Sequence, residues 1–200
     1  MRFTKVVLTI IIFLSALFSC GVDKSIRRTI AKNIDGLVLV ENKKIKISIK
    51  YYEDYWFHKL NKKFTFNWNK DFVKSIYQNS NKKILFTAHT TIEPYCSTIG
   101  LLYKNNNIEM MVQNNAEYLR KKLNAKNIIS TTKIIGMIRY IKLSYILNSS
   151  KLRTDSKYVE YYSVQGENIL RIIFWTIEAN DNWFESETKG IIETVKSRAF

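Results

Sequence analysis

From Lys44 to Tyr51 apolar and charged residues alternate: Ile45, Ile47 and Ile49 fall on one side of the chain, Lys44, Lys46 and Lys50 on the other. A period of two belongs to a strand with one buried and one wet face, and a helix would scatter these residues around its circumference. Strand-like runs recur at Leu37 to Val40, at Lys63 to Trp68, where Phe64, Phe66 and Trp68 alternate, and at Ile84 to Ala88 and Thr98 to Tyr103. Asn127 to Ile135 and Met137 to Leu147 are rich in β-branched and aromatic residues, with Gly136 between them. Tyr158 to Val164 and Ile169 to Glu178 flank Gln165-Gly166-Glu167-Asn168, which reads as a hairpin turn. Strands linked so tightly pair antiparallel.

Three stretches carry the helical period instead. Asn69 begins a short one through about Gln78, with Phe72, Val73 and Ile76 on one face. The longest runs from about Asn107 to Leu123, with Ile108, Met111, Val112, Leu119 and Leu123 in one stripe. Asn106 followed by Glu109 forms a capping-box pattern at its start. A last helix starts near Asn182, with Glu185 three residues on, and aligns Phe184, Thr188, Ile191, Ile192 and Val195. The expectation is an α+β fold, an antiparallel twisted sheet flanked by helices. With 200 residues, six Gly and one Pro, one domain fits and a flexible linker between two does not.

The first 20 residues follow a different logic. A short basic start (Arg2, Lys5) precedes an apolar run from Val6 to Phe18, too short for a bilayer-spanning helix, which needs about 20 residues. Leu17-Phe18-Ser19-Cys20, followed by Gly21, resembles the lipobox of bacterial lipoproteins. The resemblance implies cleavage before Cys20 by signal peptidase II, a diacylglycerol on the Cys20 thiol and a third acyl chain on the new amino group. An ordinary secretory signal and an uncleaved N-terminal helix are the alternatives. The expected organisation is a signal peptide over 1–19, a lipidated tether over 20–35 with at most a helical turn, and one domain over 36–200. No run of acidic residues follows Cys20. The expected address is therefore the bacterial cell envelope, on the inner leaflet of the outer membrane facing the periplasm.

The formal charge of +15 raises the question of nucleic acid. Of the 32 basic residues 24 are Lys and eight Arg, beside 27 Ile and 18 Asn, a bias that A/T-rich codons produce by themselves. The lysines come in scattered pairs such as Lys43-Lys44, Lys62-Lys63 and Lys121-Lys122, whereas recognition of phosphates and base edges favours the planar Arg fork. Nucleic acid is not an expected partner. The membrane is, through the anchor, together with an envelope protein.

The order of elements resembles the PsbP-like fold, named for an extrinsic protein of the photosystem II oxygen-evolving complex. The residues that carry the resemblance are the strand and aromatic turn Ile47-Ser48-Ile49-Lys50-Tyr51-Tyr52-Glu53-Asp54-Tyr55-Trp56, the hairpin strand Leu170 to Thr176, and a closing helix from Glu187 to Ser197. It implies an α/β/α sandwich over about residues 36–200. Such domains are mostly binding or accessory modules, so no catalytic residue carries over. Tyr51, Tyr52, Asp54, Tyr55 and Trp56 form the aromatic and acidic cluster expected to contact a partner, against the plainer reading of a turn packed into the core.

Chemistry is otherwise sparse. His58 and His89 lack ligand spacing, so no metal or other cofactor is expected. No Gly-rich phosphate loop, G-x-S-x-G elbow or H-E-x-x-H motif occurs. Cys96, seven residues after His89, is the one pairing of nucleophile and base, and a buried inert thiol is the stronger reading. Three function classes follow: a non-catalytic envelope binding or accessory lipoprotein, which leads; an immunity-type lipoprotein that neutralises an envelope-acting toxin; and a cysteine-dependent enzyme using Cys96 and His89.

Overall fold

The computed structural model describes residues 29–34, 37–42, 47–52, 55–58, 82–90, 97–104, 107–148, 154–177 and 181–197. The expected lipidation site Cys20, the strand at 63–68, the helix at 69–78, Asp54 and Cys96 lie outside them. In chain order the elements are β1 Thr29–Ile34, β2 Leu37–Asn42, β3 Ile47–Tyr52, β4 Tyr55–His58, β5 Lys82–Thr90, β6 Ser97–Tyr103 and α1 Ile108–Leu123. Then follow β7 Lys126–Ile135, β8 Ile138–Asn148, β9 Asp155–Gln165, β10 Asn168–Ile177, α2 Asp181–Glu193 and β11 Lys196–Ser197.

The strands form two antiparallel sheets, a small one ordered β1-β2-β3-β11 and a seven-stranded one ordered β4-β5-β6-β10-β9-β8-β7. Residues 29–34, expected in the tether, form β1 and pair with β2 from Thr29↔Asn42 to Ile34↔Leu37. The reason is a short connection: only two residues separate the two extended runs in the chain, so they pair with each other.

The central hairpins follow their turn residues. Gly136 and Met137 both have positive φ, 56° and 69°, as a type I′ turn requires. Gly166, with φ 60°, opens the two-residue turn between β9 and β10, where a II′ turn places glycine. The resulting β9–β10 register runs unbroken from Asn168↔Gln165 to Ile177↔Ser156.

Helix α1 packs on one face of the large sheet. Its Ile108, Val112, Leu119 and Leu123 are buried with Leu101, Leu143, Tyr145, Tyr158, Ile173 and Trp175. The cap sits one residue later than expected: the Asn107 side chain accepts the Met110 N–H at 2.8 Å. Glu109 is thus too early to complete a capping box and pairs with Arg139 instead, at 3.0 Å. At the other end Asn124 takes the left-handed conformation (φ 52°) and the Ala125 N–H bonds back to Leu119 O at 3.0 Å.

Helix α2 covers the opposite face. Phe184, Ile191, Ile192 and Val195 are buried with Leu102, Val159, Tyr161, Leu170, Ile172 and Phe174, and with Ile49 of β3. The molecule is therefore layered, with α1 on one side of the large sheet, and α2 with the small sheet's β3 on the other. Two expectations about α2 are corrected. It starts at Asp181, so Asn182 lies inside it and does not cap it, and it ends at Glu193, short of Ser197. Tightened bonds from Thr194 N to Ile191 O and from Val195 N to Ile192 O, both 3.1 Å, close the helix. Lys196 and Ser197 then pair with Ser48 and Ile47 as β11.

Candidate functional site

The expected partner-contact residues divide between the two sheets. Tyr51 and Tyr52 end β3 opposite Val38 and Leu37 in the small sheet. Tyr55 and Trp56 begin β4, opposite Thr90 and His89 at the edge of the large sheet. β3 and β4 are separated by only two residues in the chain yet belong to different sheets, which the reading of a single turn on one strand missed. His89 faces Trp56 on one side and Ser97 on the other, so the topology sets it in the middle strand of a three-strand group. His58 pairs with Thr87 in the same group. No group of three or more His, Cys, Asp and Glu able to hold a metal occurs among the described residues.

The densest chemistry lies elsewhere. Glu160 on β9 is fully buried and Arg171 on β10 nearly so. They are diagonal neighbours, since Glu160 is registered with Ile173 and Arg171 with Tyr162, and the pleat turns both toward α1. The pair is bidentate: Arg171 Nε donates to Glu160 Oε2 at 2.9 Å and an Nη to Oε1 at 2.8 Å. Tyr145 of β8 donates its hydroxyl to Oε1 and Tyr162 donates to Oε2. Asn115 of α1 donates to Glu160 Oε2 at 3.2 Å and to the Tyr162 hydroxyl at 2.8 Å. The other Arg171 Nη donates to the Tyr103 hydroxyl of β6 at 3.1 Å, and the guanidinium lies 5.4 Å from the Tyr162 ring centre.

Four elements thus converge on one carboxylate, and a fifth, β6, holds its counter-ion. A charge taken from water costs several kcal/mol even after relaxation, and only an opposite charge with good geometry and further hydrogen bonds offsets that. Burial by itself pulls the Arg171 guanidinium down, and the Glu160 carboxylate with the Tyr162 and Tyr103 oxygens reverses this, holding it well above the ordinary arginine range. Burial also raises the Tyr145 hydroxyl, and the Glu160 charge raises it further. Tyr162 is raised by burial as well, with Arg171 pulling the other way. Both phenols therefore stay protonated and keep donating. Chemically the arrangement holds a proton-donor shell around a fixed anion. It is sealed beneath α1, so it reads as a built-in clamp and not as an open acid or base.

The sequence holds a trace of this cluster. Glu160 and Arg171 are single charges inside the apolar runs Tyr158 to Val164 and Ile169 to Phe174, and a hairpin turn at Gly166 places them on the same face.

On the α2 side the charges stay at the rim. Glu185 accepts from Lys142 at 2.8 Å and pairs with Lys157 at 3.2 Å. The Lys142 hydrogen bond, aided by Lys157, holds the Glu185 carboxyl below its ordinary value. Asp155 at the end of β9 is likewise lowered, by hydrogen bonds from Asn148 and Lys126.

No protein-family model and no curated protein matches the sequence. Among solved structures, cyanobacterial PsbP (CyanoP) from Synechocystis sp. PCC 6803 superposes with a TM-score of 0.52 at 11% identity, over 82% of this chain and 94% of that one. The chain has the PsbP-like fold. LpqN of Mycobacterium tuberculosis, described as involved in cell envelope biogenesis, gives a TM-score of 0.48 at 10% identity, over 75% of this chain and 82% of that one. A Bacteroides thetaiotaomicron protein gives 0.49 at 11% identity, over 76% of this chain but only 45% of its own length. At such identities the likeness concerns the fold alone. Among the described residues no helix is long and apolar enough to cross a membrane.

Proposed function

We propose that this chain is a lipid-anchored, non-catalytic accessory domain of the bacterial cell envelope that binds another envelope protein. The observation that carries the reading is Leu17-Phe18-Ser19-Cys20 at the end of a 13-residue apolar run. Only a thiol at that position accepts the lipid, because the thiolate is the nucleophile. Each buried methylene contributes about 0.8 kcal/mol, and stable anchoring takes about two acyl chains, so three on Cys20 hold a PsbP-like domain at a bilayer without a spanning helix.

The buried ion pair supports the non-catalytic half of the reading. Glu160 and Arg171 are committed to each other and to three tyrosines, with no face left for a substrate. The proposed partner contact is the junction carrying Tyr51, Tyr52, Asp54, Tyr55 and Trp56, where the chain passes from one sheet to the other. Aromatic residues dominate binding energy at protein interfaces.

Metabolic labelling with a fatty-acid analogue tests the anchor. The parent chain takes up label and is processed; Cys20→Ala takes up none and stays as precursor. Labelling of Cys20→Ala defeats the reading. Capture of an envelope protein by the parent chain and its loss with Trp56→Ala tests the contact.

A further inference from the structure

Strand β7 forms one edge of the large sheet, with β8 its sole neighbour among the described residues. Natural edge strands are blunted by proline, by charge and lysine above all, by a bulge or by short length, because an unpaired row of N–H and C=O groups is a template for another strand; in the regular part of β7 the one such charge is the exposed Lys133. β7 has ten residues, no proline, and a single irregularity at its start, between Lys126 and Ile129. From Ile129 to Ile135 its pairing with β8 is regular, and no described strand pairs with its other edge. Ile129 and Ile134 are among the few large apolar side chains exposed on the described surface, Ile134 at 78%. The adjoining turn residue, Met137, is 98% exposed.

The order of residues shows what fits there. Two edge strands related by a two-fold axis perpendicular to the sheet pair antiparallel, with each pair on one face, so the axis must pass midway between one residue and its own copy. Centred on Thr131, the regular segment Ile129-Ser130-Thr131-Thr132-Lys133 meets its own copy without conflict. Thr131 faces Thr131 and Ser130 faces Thr132, and the exposed Ile134 adds apolar surface at the end of the pairing. Ile129 faces Lys133, whose aliphatic stem lies along it while the ammonium reaches water. Centring on Lys133 would set that lysine against itself. Lys126, the other cation of this strand, is already held by Asp155 at 3.2 Å.

We propose that β7 is the site at which two copies of this chain join into one continuous sheet, centred on Thr131. An extended acidic segment of another protein is the competing occupant, and charge separates the two. Two copies of a chain with formal charge +15 repel, so salt, by screening that repulsion, strengthens the pairing of copies and weakens the binding of an acidic segment.

Cross-linking of the full chain in mild detergent tests this. Under mild copper-phenanthroline oxidation, Thr131→Cys should give a disulfide-linked dimer several-fold above the parent chain, which carries Cys20 and Cys96, and several-fold above Lys121→Cys on the exposed side of α1. Adding Ile134→Lys should cut that yield several-fold. A Thr131→Cys yield no greater than either control overturns the proposal. So does a dominant adduct, in cell envelopes, with the mass of a different protein. Sedimentation of the unsubstituted chain in the same detergent gives a second readout that depends on no variant. A dimer that strengthens with salt supports the pairing; a monomer at every concentration and salt overturns it.

Discussion

The two faces of the seven-stranded sheet draw on the same strands and close in opposite ways. Toward α1, β9 and β10 supply Glu160 and Arg171, tied to Tyr145, Tyr162, Tyr103 and Asn115. Toward α2, their neighbours Tyr161, Ile172 and Phe174 meet Phe184, Ile191 and Ile192, while the charges Lys142, Lys157 and Glu185 remain at the margin. The apolar layer accepts any side chains that fill the volume. The ionic layer accepts one arrangement, since every donor around Glu160 is aimed and an unaimed one leaves a buried charge exposed to its own desolvation cost. The difference teaches that the α1 face adds direction, through one hydrogen-bonded cluster, to the apolar packing that both faces share.

That contrast is open to a matched pair of substitutions read by urea unfolding. Arg171→Met leaves Glu160 buried without its counter-ion and should cost about 3–5 kcal/mol. Phe184→Ala opens a cavity on the other face and should also cost about 3–5 kcal/mol. The two part company on rescue. Replacing Glu160 with Leu in the Arg171→Met background should restore part of the loss, because it removes the unpaired buried charge but takes the Glu160 acceptor from Tyr145, Tyr162 and Asn115. A second deletion beside Phe184, such as Ile191→Val, should add about 0.5–1.5 kcal/mol more damage. If the double ionic variant is no more stable than Arg171→Met alone, the clamp contributes through its geometry and not through balanced charge.

A smaller effect probes how α1 is placed. Asn107→Ala removes the acceptor for the Met110 N–H and should cost about 1 kcal/mol in the same unfolding measurement. Asn106→Ala, at the position the sequence pattern singles out, should change stability by less.

The smallest effect belongs to the rim of the α2 face. Glu185 titrates below its ordinary value of 4.5 in the folded chain, so its pairing stabilises the fold above that pH and is lost as pH falls through the lower folded value. Glu185→Gln should therefore flatten the stability profile below about pH 4.5 and leave it unchanged in shape near neutrality, with a loss there of at most about 1 kcal/mol for so exposed a group. An unaltered acid limb would place the pair among those that contribute nothing.

Much of this architecture could be read in the residues, for reasons that are local. The stripe Ile108, Val112, Leu119 and Leu123 and the stripe Phe184, Thr188, Ile191, Ile192 and Val195 are buried as their spacing demands, and the hairpins at Gly136 and Gly166 follow from glycine's tolerance of positive φ. What escaped depends on pairings distant in sequence. Whether Lys196 and Ser197 continue a helix or join β3 is decided by a strand some 150 residues away. The Asn106 cap pattern lost to Asn107 because helix starts differ by a residue at little cost in pattern. The Glu160–Arg171 clamp was hidden because each charge, taken alone, looks like a solvent-facing residue of a half-wet strand. Only the α1 layer above them makes that face dry.

The junction at Thr194 has a consequence for how the molecule is made. Its hydroxyl accepts the Lys50 N–H at 2.8 Å and lies 3.0 Å from Lys50 O and 2.7 Å from Ile191 O, and β11 closes the small sheet beside β3 two residues later. The large sheet's central hairpins join neighbours in the chain and can form as soon as each pair is synthesised. The small sheet, although its first three strands precede every other described element in the chain, waits for Thr194 to Ser197, made after all of those elements, to supply its fourth strand and its fastening. Loss of Thr194 to Ser197 would therefore leave the first-made of the described sheets unfinished, some 150 residues from the damage.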